Sequence, residues 1–126
     1  MIPKTLAEVA ELAAQGESFD LCLRNFLDGF YAEPNAAALK AEPASLASKI
    51  PQLGVIEDAY LAATAEWLAW RYNMAAPTWA FGSSRSLHRP WFASTLKSLR
   101  AVLLWESPAP FRSRNLFVSE NALSRA

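Results

Sequence analysis

Val55-Ile-Glu-Asp-Ala-Tyr60-Leu-Ala-Ala-Thr-Ala-Glu-Trp67-Leu-Ala-Trp70-Arg-Tyr72 carries the strongest structural signal in the chain. Ile56, Tyr60, Ala63, Trp67 and Trp70 recur at steps of four and three, the repeat that gathers side chains on one side of an α-helix. Glu57 and Asp58 in the first turn and Arg71 in the last complement the helix dipole. The spacing predicts a helix over 55–72 whose stripe faces the core. Two tryptophans on that stripe read as core, because each ring buries about 150–250 Å² and a small domain needs that area.

Working outward, the segment Ala75-Ala-Pro-Thr-Trp79-Ala-Phe81-Gly-Ser-Ser-Arg85-Ser-Leu-His88-Arg89-Pro90-Trp91-Phe92 is far longer than an ordinary connection, whose median is about 4–6 residues. Trp79 and Phe81 at one end and Trp91 and Phe92 at the other predict a loop anchored by its rings. The polar residues between, 82–89, read as exposed. A helix opening at Pro90 or Ser94 follows, with Leu96, Leu99 and Leu103 as its buried stripe, Lys97 and Arg100 outward, and Trp105 further along. Ser107 then Pro108 reads as a cap followed by proline at the first helical position. That turn contains Phe111, Arg112 and Arg114. Residues 116–118 read as extended, and Ser119 as the cap of a last short helix ending at Arg125.

Toward the N-terminus, Thr5 and Glu8 fit a capping box, so a helix to about Ala14 is expected, ended by Gly16. Ser18 caps a second helix on which Phe19, Leu23, Phe26 and Phe30 share one side, while Asp20, Arg24 and Asp28 form pairs four apart facing water. Pro34, Pro43 and Pro51 interrupt the following region, since proline lacks an amide hydrogen and clashes with the preceding turn. Two short helices, 35–41 and 43–49, are expected there as a connector. The sum is an all-α fold: one domain over 1–126 of about five to seven helices, with a long aromatic-anchored loop between two core helices.

A chain of 126 residues, 52% hydrophobic and 19% charged, suits one domain burying about two-thirds of its unfolded surface. Thr64 and Glu66 interrupt the longest apolar run, which falls short of the about 20 residues of a membrane span. The first residues, with Glu8 and Glu11, lack the apolar core of a signal peptide, so a cytoplasmic location is expected. One cysteine, Cys22, cannot form an intramolecular disulfide and reads as a small buried hydrophobe. With a single histidine, no Cys/His zinc site is expected. Residues 1–63 hold nine acidic and four basic side chains and residues 64–126 three and eight, so either the opposite halves attract each other within the domain or the C-terminal half presents a basic partner-binding face.

The four isolated glycines match neither a phosphate loop nor a dinucleotide fingerprint, and no serine stands in a nucleophile-elbow context. A triad of Ser83 or Ser84 with His88 and Asp58 has no local support, and a lone loop histidine reads as a surface residue. Glu57 and Asp58 point about 100° apart, which makes a poor acid–base pair. No catalytic residue, metal site or cofactor is expected. Arg85, Arg89, Arg112 and Arg114 could grip phosphate or carboxylate through their planar forks, but the neutral total charge gives little field to draw in nucleic acid.

Pro77-Thr-Trp79, Pro90-Trp-Phe92, Ser107-Pro108 leading to Phe111-Arg112, Arg114-Asn-Leu-Phe117 and Asn121-Ala-Leu123 form a set spread over about half the chain. In this set the C-terminal half resembles a group of small helical bacterial proteins, chiefly of actinobacterial type. Some relatives carry a repressor-like helix-turn-helix before this region, and some lie beside a nucleotidyltransferase-like toxin. The resemblance implies an antitoxin-like or regulatory role. No helix-turn-helix is evident here, so only partner binding carries over.

The expectation is therefore a non-enzymatic module that binds another protein, a toxin or a regulator, through Arg85, His88 and Arg89 of the loop and Arg112, Arg114 and Asn115 of the later turn. The alternative is a small-molecule or nucleotide binder whose pocket is lined by Trp67, Trp70, Trp79 and Trp91, with Arg85 or Arg89 as anion clamp. A third reading is self-association through exposed rings.

Overall fold

A computed structural model describes residues 2–125 of the chain. It is all-α, with helices α1 (Leu6–Ala14), α2 (Phe19–Ala32), α3 (Ala37–Lys40), α4 (Leu53–Arg71), α5 (Arg100–Glu106) and α6 (Ala109–Arg112). Single-turn 3-10 segments at Thr78–Phe81 and Ser83–Arg85 structure the long loop. Strands β1 (Trp91–Phe92) and β2 (Leu116–Phe117) pair in parallel, Trp91 opposite Leu116 and Phe92 opposite Phe117.

Local chemistry sets the first two helices. Thr5 caps α1 by accepting from the Glu8 amide at 3.0 Å. The Glu8 carboxylate reaches back to the Lys4 amide, one residue earlier than a capping box requires. Gly16 ends the helix in the left-handed region, φ 102°, where a side chain would be strained. Ser18 caps α2 through the Leu21 amide. The buried Leu23, Phe26 and Phe30 of α2 face the core with α1, joined by Cys22, as the spacing predicts, while Phe19 is half-buried. Asp28 does not rely on Arg24; it pairs with Arg125 at 2.9 Å and ties the end of the chain to α2.

Helix α4 is the axis of the domain, and its environment differs from a one-sided stripe. From Asp58 to Ala65 every residue except half-buried Tyr60 is buried, so the helix is enclosed all round. Ala59, Ala62, Ala63, Ala65 and Ala69 let α6, β2 and both 3-10 turns approach its backbone. Thr64 satisfies its hydroxyl on the Tyr60 carbonyl at 2.8 Å. The expected stripe is corrected along most of its length: only Ala63 of its five residues is buried, Ile56, Tyr60 and Trp67 are half-buried, and Trp70 is 75% exposed although its neighbours Leu68 and Ala69 are buried, so α4 buries chiefly its other sides. At the other end Gly54 lies against the connector, where an added Cβ would stand 2.2 Å from the Leu46 carbonyl oxygen.

Four further expectations are corrected. Residues 43–49 form a turn, not a helix, because the Asp58 carboxylate takes the amides of Leu46 and Ala47 that would start one. Residues 119–125 likewise make a turn, with Ser119 accepting from the Asn121 amide. Ser107 does not cap α6; its buried hydroxyl donates to the Leu116 carbonyl and accepts from the Val118 amide, holding β2. Only Leu103 of the stripe expected in α5 is buried, whereas Leu96 and Leu99 are exposed.

Candidate functional site

The loop and the later turn are brought together, as a shared surface would need, but by internal bonds that consume several of the candidate residues. Leu87 donates its amide to the Arg114 carbonyl at 3.1 Å, and Trp91 donates to the Asn115 carbonyl at 2.8 Å. Asn115, held at φ 63°, donates from Nδ2 to the Leu87 carbonyl at 2.7 Å. A left-handed asparagine whose side chain pins a distant loop is a structural device.

Arg85 is corrected from partner contact to internal strut, since only 3% of it is exposed. Its Nη2 donates to the Pro43 carbonyl at 2.6 Å, and its Nη1 lies 3.6 Å from the Asp58 carboxylate. The guanidinium sits 5.0 Å from the centre of the Trp79 ring, whose indole N–H donates to the Leu39 carbonyl. Asp58 also accepts from the Ser45 hydroxyl and from the Leu46 and Ala47 amides. This cluster clamps the 39–47 connector to α4 and leaves Asp58 no free oxygen for a catalytic histidine; Ser83, Ser84 and His88 lie exposed outside it.

Arg114 is the second correction. At 4% exposure, it donates to Glu66 at 2.6 Å and to the carbonyls of Pro110 and Ala80 at 2.7 and 2.8 Å. Arg85 thus satisfies a carbonyl of the irregular connector, and Arg114 satisfies carbonyls of a 3-10 turn and of the short α6. Of the expected contact residues, His88, Arg89 and Arg112 are exposed and Asn115 is half-buried. Across the two halves of the chain, Arg85 pairs with Asp58 and Glu42, and Arg125 with Asp28.

The four tryptophans of the alternative reading do not converge on one pocket. Trp67 and Trp70 share an open groove with Pro108 and Pro110. Trp91 lines a different cleft of about 590 Å³ together with Phe19, Tyr60 and Glu57. Trp79 is occupied with Arg85 and Leu39. Neither Arg85 nor Arg89 lines the Trp91 cleft, so the anion-clamp arrangement does not form there. Among the described residues no three His, Cys, Asp or Glu side chains are grouped as metal ligands.

The most distinctive surface is the outer side of α5 together with Leu96 and Leu99, two residues whose spacing predicts burial. Leu103 of α5 packs inward, and the rest of the helix shows Val102 and Leu104 about half exposed and Trp105 at 87%. At about 100° per residue, Trp105 stands roughly 160° from Leu103, directly away from the body, with Val102 and Leu104 on either flank. Leu96 and Leu99 extend this surface at the N-terminal end. The signal was available: residues 101–105 are apolar at every position, and a helix apolar on all sides is one that something covers. The 4/3 spacing of Leu96, Leu99 and Leu103 masked it by suggesting a single buried face.

Arg100 lies over the Phe92 ring at 5.3 Å, and Phe92 stacks on Phe117 at 5.1 Å, so the base of α5 is fixed to the β pair. Lys97, Arg100 and Arg112 are exposed nearby in the chain, with Glu106 half-buried at the far end of the helix. Compared with protein-family models, curated proteins and solved structures, the chain finds no significant match in any of the three.

Proposed function

We propose that this chain is a non-enzymatic protein-interaction module whose docking element is α5 with the 96–99 approach to it. The observation that carries this reading is Trp105, at 87% exposure on a helix apolar on all sides. A fully exposed indole flanked by Val102 and Leu104 is the composition of an interaction hot spot: large, amphipathic and costly to leave in water. Lys97 and Arg100 border it, so the fitting partner is another protein offering an apolar groove with an acidic rim. The resemblance of the C-terminal half to proteins found beside regulators and toxins points to a partner of that kind, an antitoxin-like or regulatory role.

This reading moves the contact from the loop arginines to α5. The test compares the wild type with Trp105→Ser and Leu104→Ser after circular dichroism has confirmed that both variants are folded. Proteins retained at native expression are purified and titrated calorimetrically. A one-to-one complex that weakens about 30-fold or more with Trp105→Ser and weakens further in salt supports the proposal. No complex, or one indifferent to both substitutions, overturns it. Concentration-dependent light scattering abolished by Trp105→Ser would assign the face to a second copy of the chain instead.

A further inference from the structure

The cleft beside Trp91 has a chemistry the interaction reading does not use. It opens between the start of α2, the first half of α4, β1 and the segment after β2, and encloses about 590 Å³. Phe19 and Tyr60, set edge to face at 6.2 Å, and Trp91 supply aromatic walls. Among the described residues Asp20 and Glu57 are its only charged lining residues, and no lysine, arginine or histidine lines it. Arg24 and Arg125 border the neighbouring groove, where Arg125 is already held by Asp28.

Glu57 is the telling residue. Its Oε1 is the one buried side-chain polar atom among the described residues without a hydrogen-bond partner. An orphaned buried acceptor is destabilising and calls for an explanation. The orphan belongs to a half-buried carboxylate that lines a cleft large enough for a small molecule; because Oε1 itself is shielded from solvent, a donor in the cleft meets this group at its other oxygen or after the side chain turns. Burial, with Asp20 and Asp58 nearby, pushes the Glu57 carboxyl above its usual range, the direction expected of an acid lacking a cation.

We propose that this cleft is a binding site for a small primary alkylammonium ion, with the ammonium N–H groups on the Glu57 carboxylate, Asp20 adding charge, and the methylenes against Phe19, Tyr60 and Trp91. The aromatic faces attract a cation through their quadrupoles, and the absence of any lining base removes competition for the carboxylates. A primary ammonium is favoured over a quaternary one because the carboxylate needs a donor. An anion is opposed by both lining charges.

The probe is 1,4-diaminobutane, titrated into the full chain by calorimetry and by amide NMR, beside tetramethylammonium and 1-butanol. The expected result is saturable diamine binding, with shifts centred on residues 18–20, 56–60, 91–93 and 118–122. Glu57→Gln should weaken it about tenfold or more while the amide spectrum stays that of a folded chain. Asp20→Asn, at an exposed position, provides the second variant and should weaken it less. Absence of saturable binding, indifference to Glu57→Gln, or equal affinity for tetramethylammonium or 1-butanol would each overturn the assignment.

Discussion

Asp58→Ala tests whether the buried charge cluster organises the fold. The substitution removes the acceptor for the Leu46 and Ala47 amides, at 2.7 and 3.1 Å, and strands the Arg85 guanidinium with carbonyls and the solvent-exposed Glu42, 3.7 Å away. Breaking a buried ion pair by deleting one partner costs about 3–5 kcal/mol, against a total stability of about 5–15 kcal/mol for such a domain. Arg85→Met should cost less, about 1–3 kcal/mol, because Asp58 keeps three donors and the chief loss is the bond to Pro43. The double variant should cost less than the sum of the two, since the stranded charge is gone. Urea unfolding followed by circular dichroism gives all three values, with Tm falling on the order of 10–20 °C for Asp58→Ala. A loss below about 1 kcal/mol for Asp58→Ala, or strict additivity in the double variant, would show that the cluster is incidental to the fold.

Gly54→Ala and Gly29→Ala should act in opposite directions. The first forces a methyl into the Leu46 backbone and should cost about 1–3 kcal/mol or more, while the second meets open space within α2 and should gain about 0.5–1 kcal/mol, both read from urea midpoints. Glu57, whose carboxyl is raised in the folded chain, favours the fold when protonated, so its ionisation lowers stability as pH rises from 4.5 through the raised value. Glu57→Gln should therefore raise Tm at neutral pH and give no such gain below 4.5, and Tm measured across pH will show whether the sign is right. Asp28 is held below its ordinary 3.8 chiefly by its hydrogen bond from Arg125. Arg125→Ala should move the Asp28 titration upward in carboxyl-carbon NMR; an unmoved titration would mean that the pair does not persist in solution.

Much of the fold was legible locally. Thr5 and Ser18 announce their helices because capping is a contact between a side chain and an amide three residues on, and the apolar repeat of α2 needs only helical geometry to find its face. Where the reading failed, a distant partner outweighed a local preference. Residues 43–49 have a helical pattern, yet Asp58 binds their amides from α4. Leu96 and Leu99 repeat as a buried stripe should, yet they are left 60% and 40% exposed.

The candidate site divides in the same way. Sequence by itself established an all-α chain with a long loop between two helices and arginines within it; of the four rings expected to anchor that loop, Trp79, Trp91 and Phe92 are half-buried, but Phe81 is 60% exposed. It could not tell an exposed arginine from a strut, because that depends on carbonyls remote in the chain: Pro43 lies 42 residues from Arg85, and Ala80 lies 34 from Arg114. Tertiary structure alone decided that these two guanidiniums turn inward, that Trp105 turns outward, and that Glu57 shares a cleft with Trp91. The physical reason is that periodicity and capping are set by neighbours within a turn or two, whereas the burial of a charge is set by whatever acceptors the folded chain brings to it.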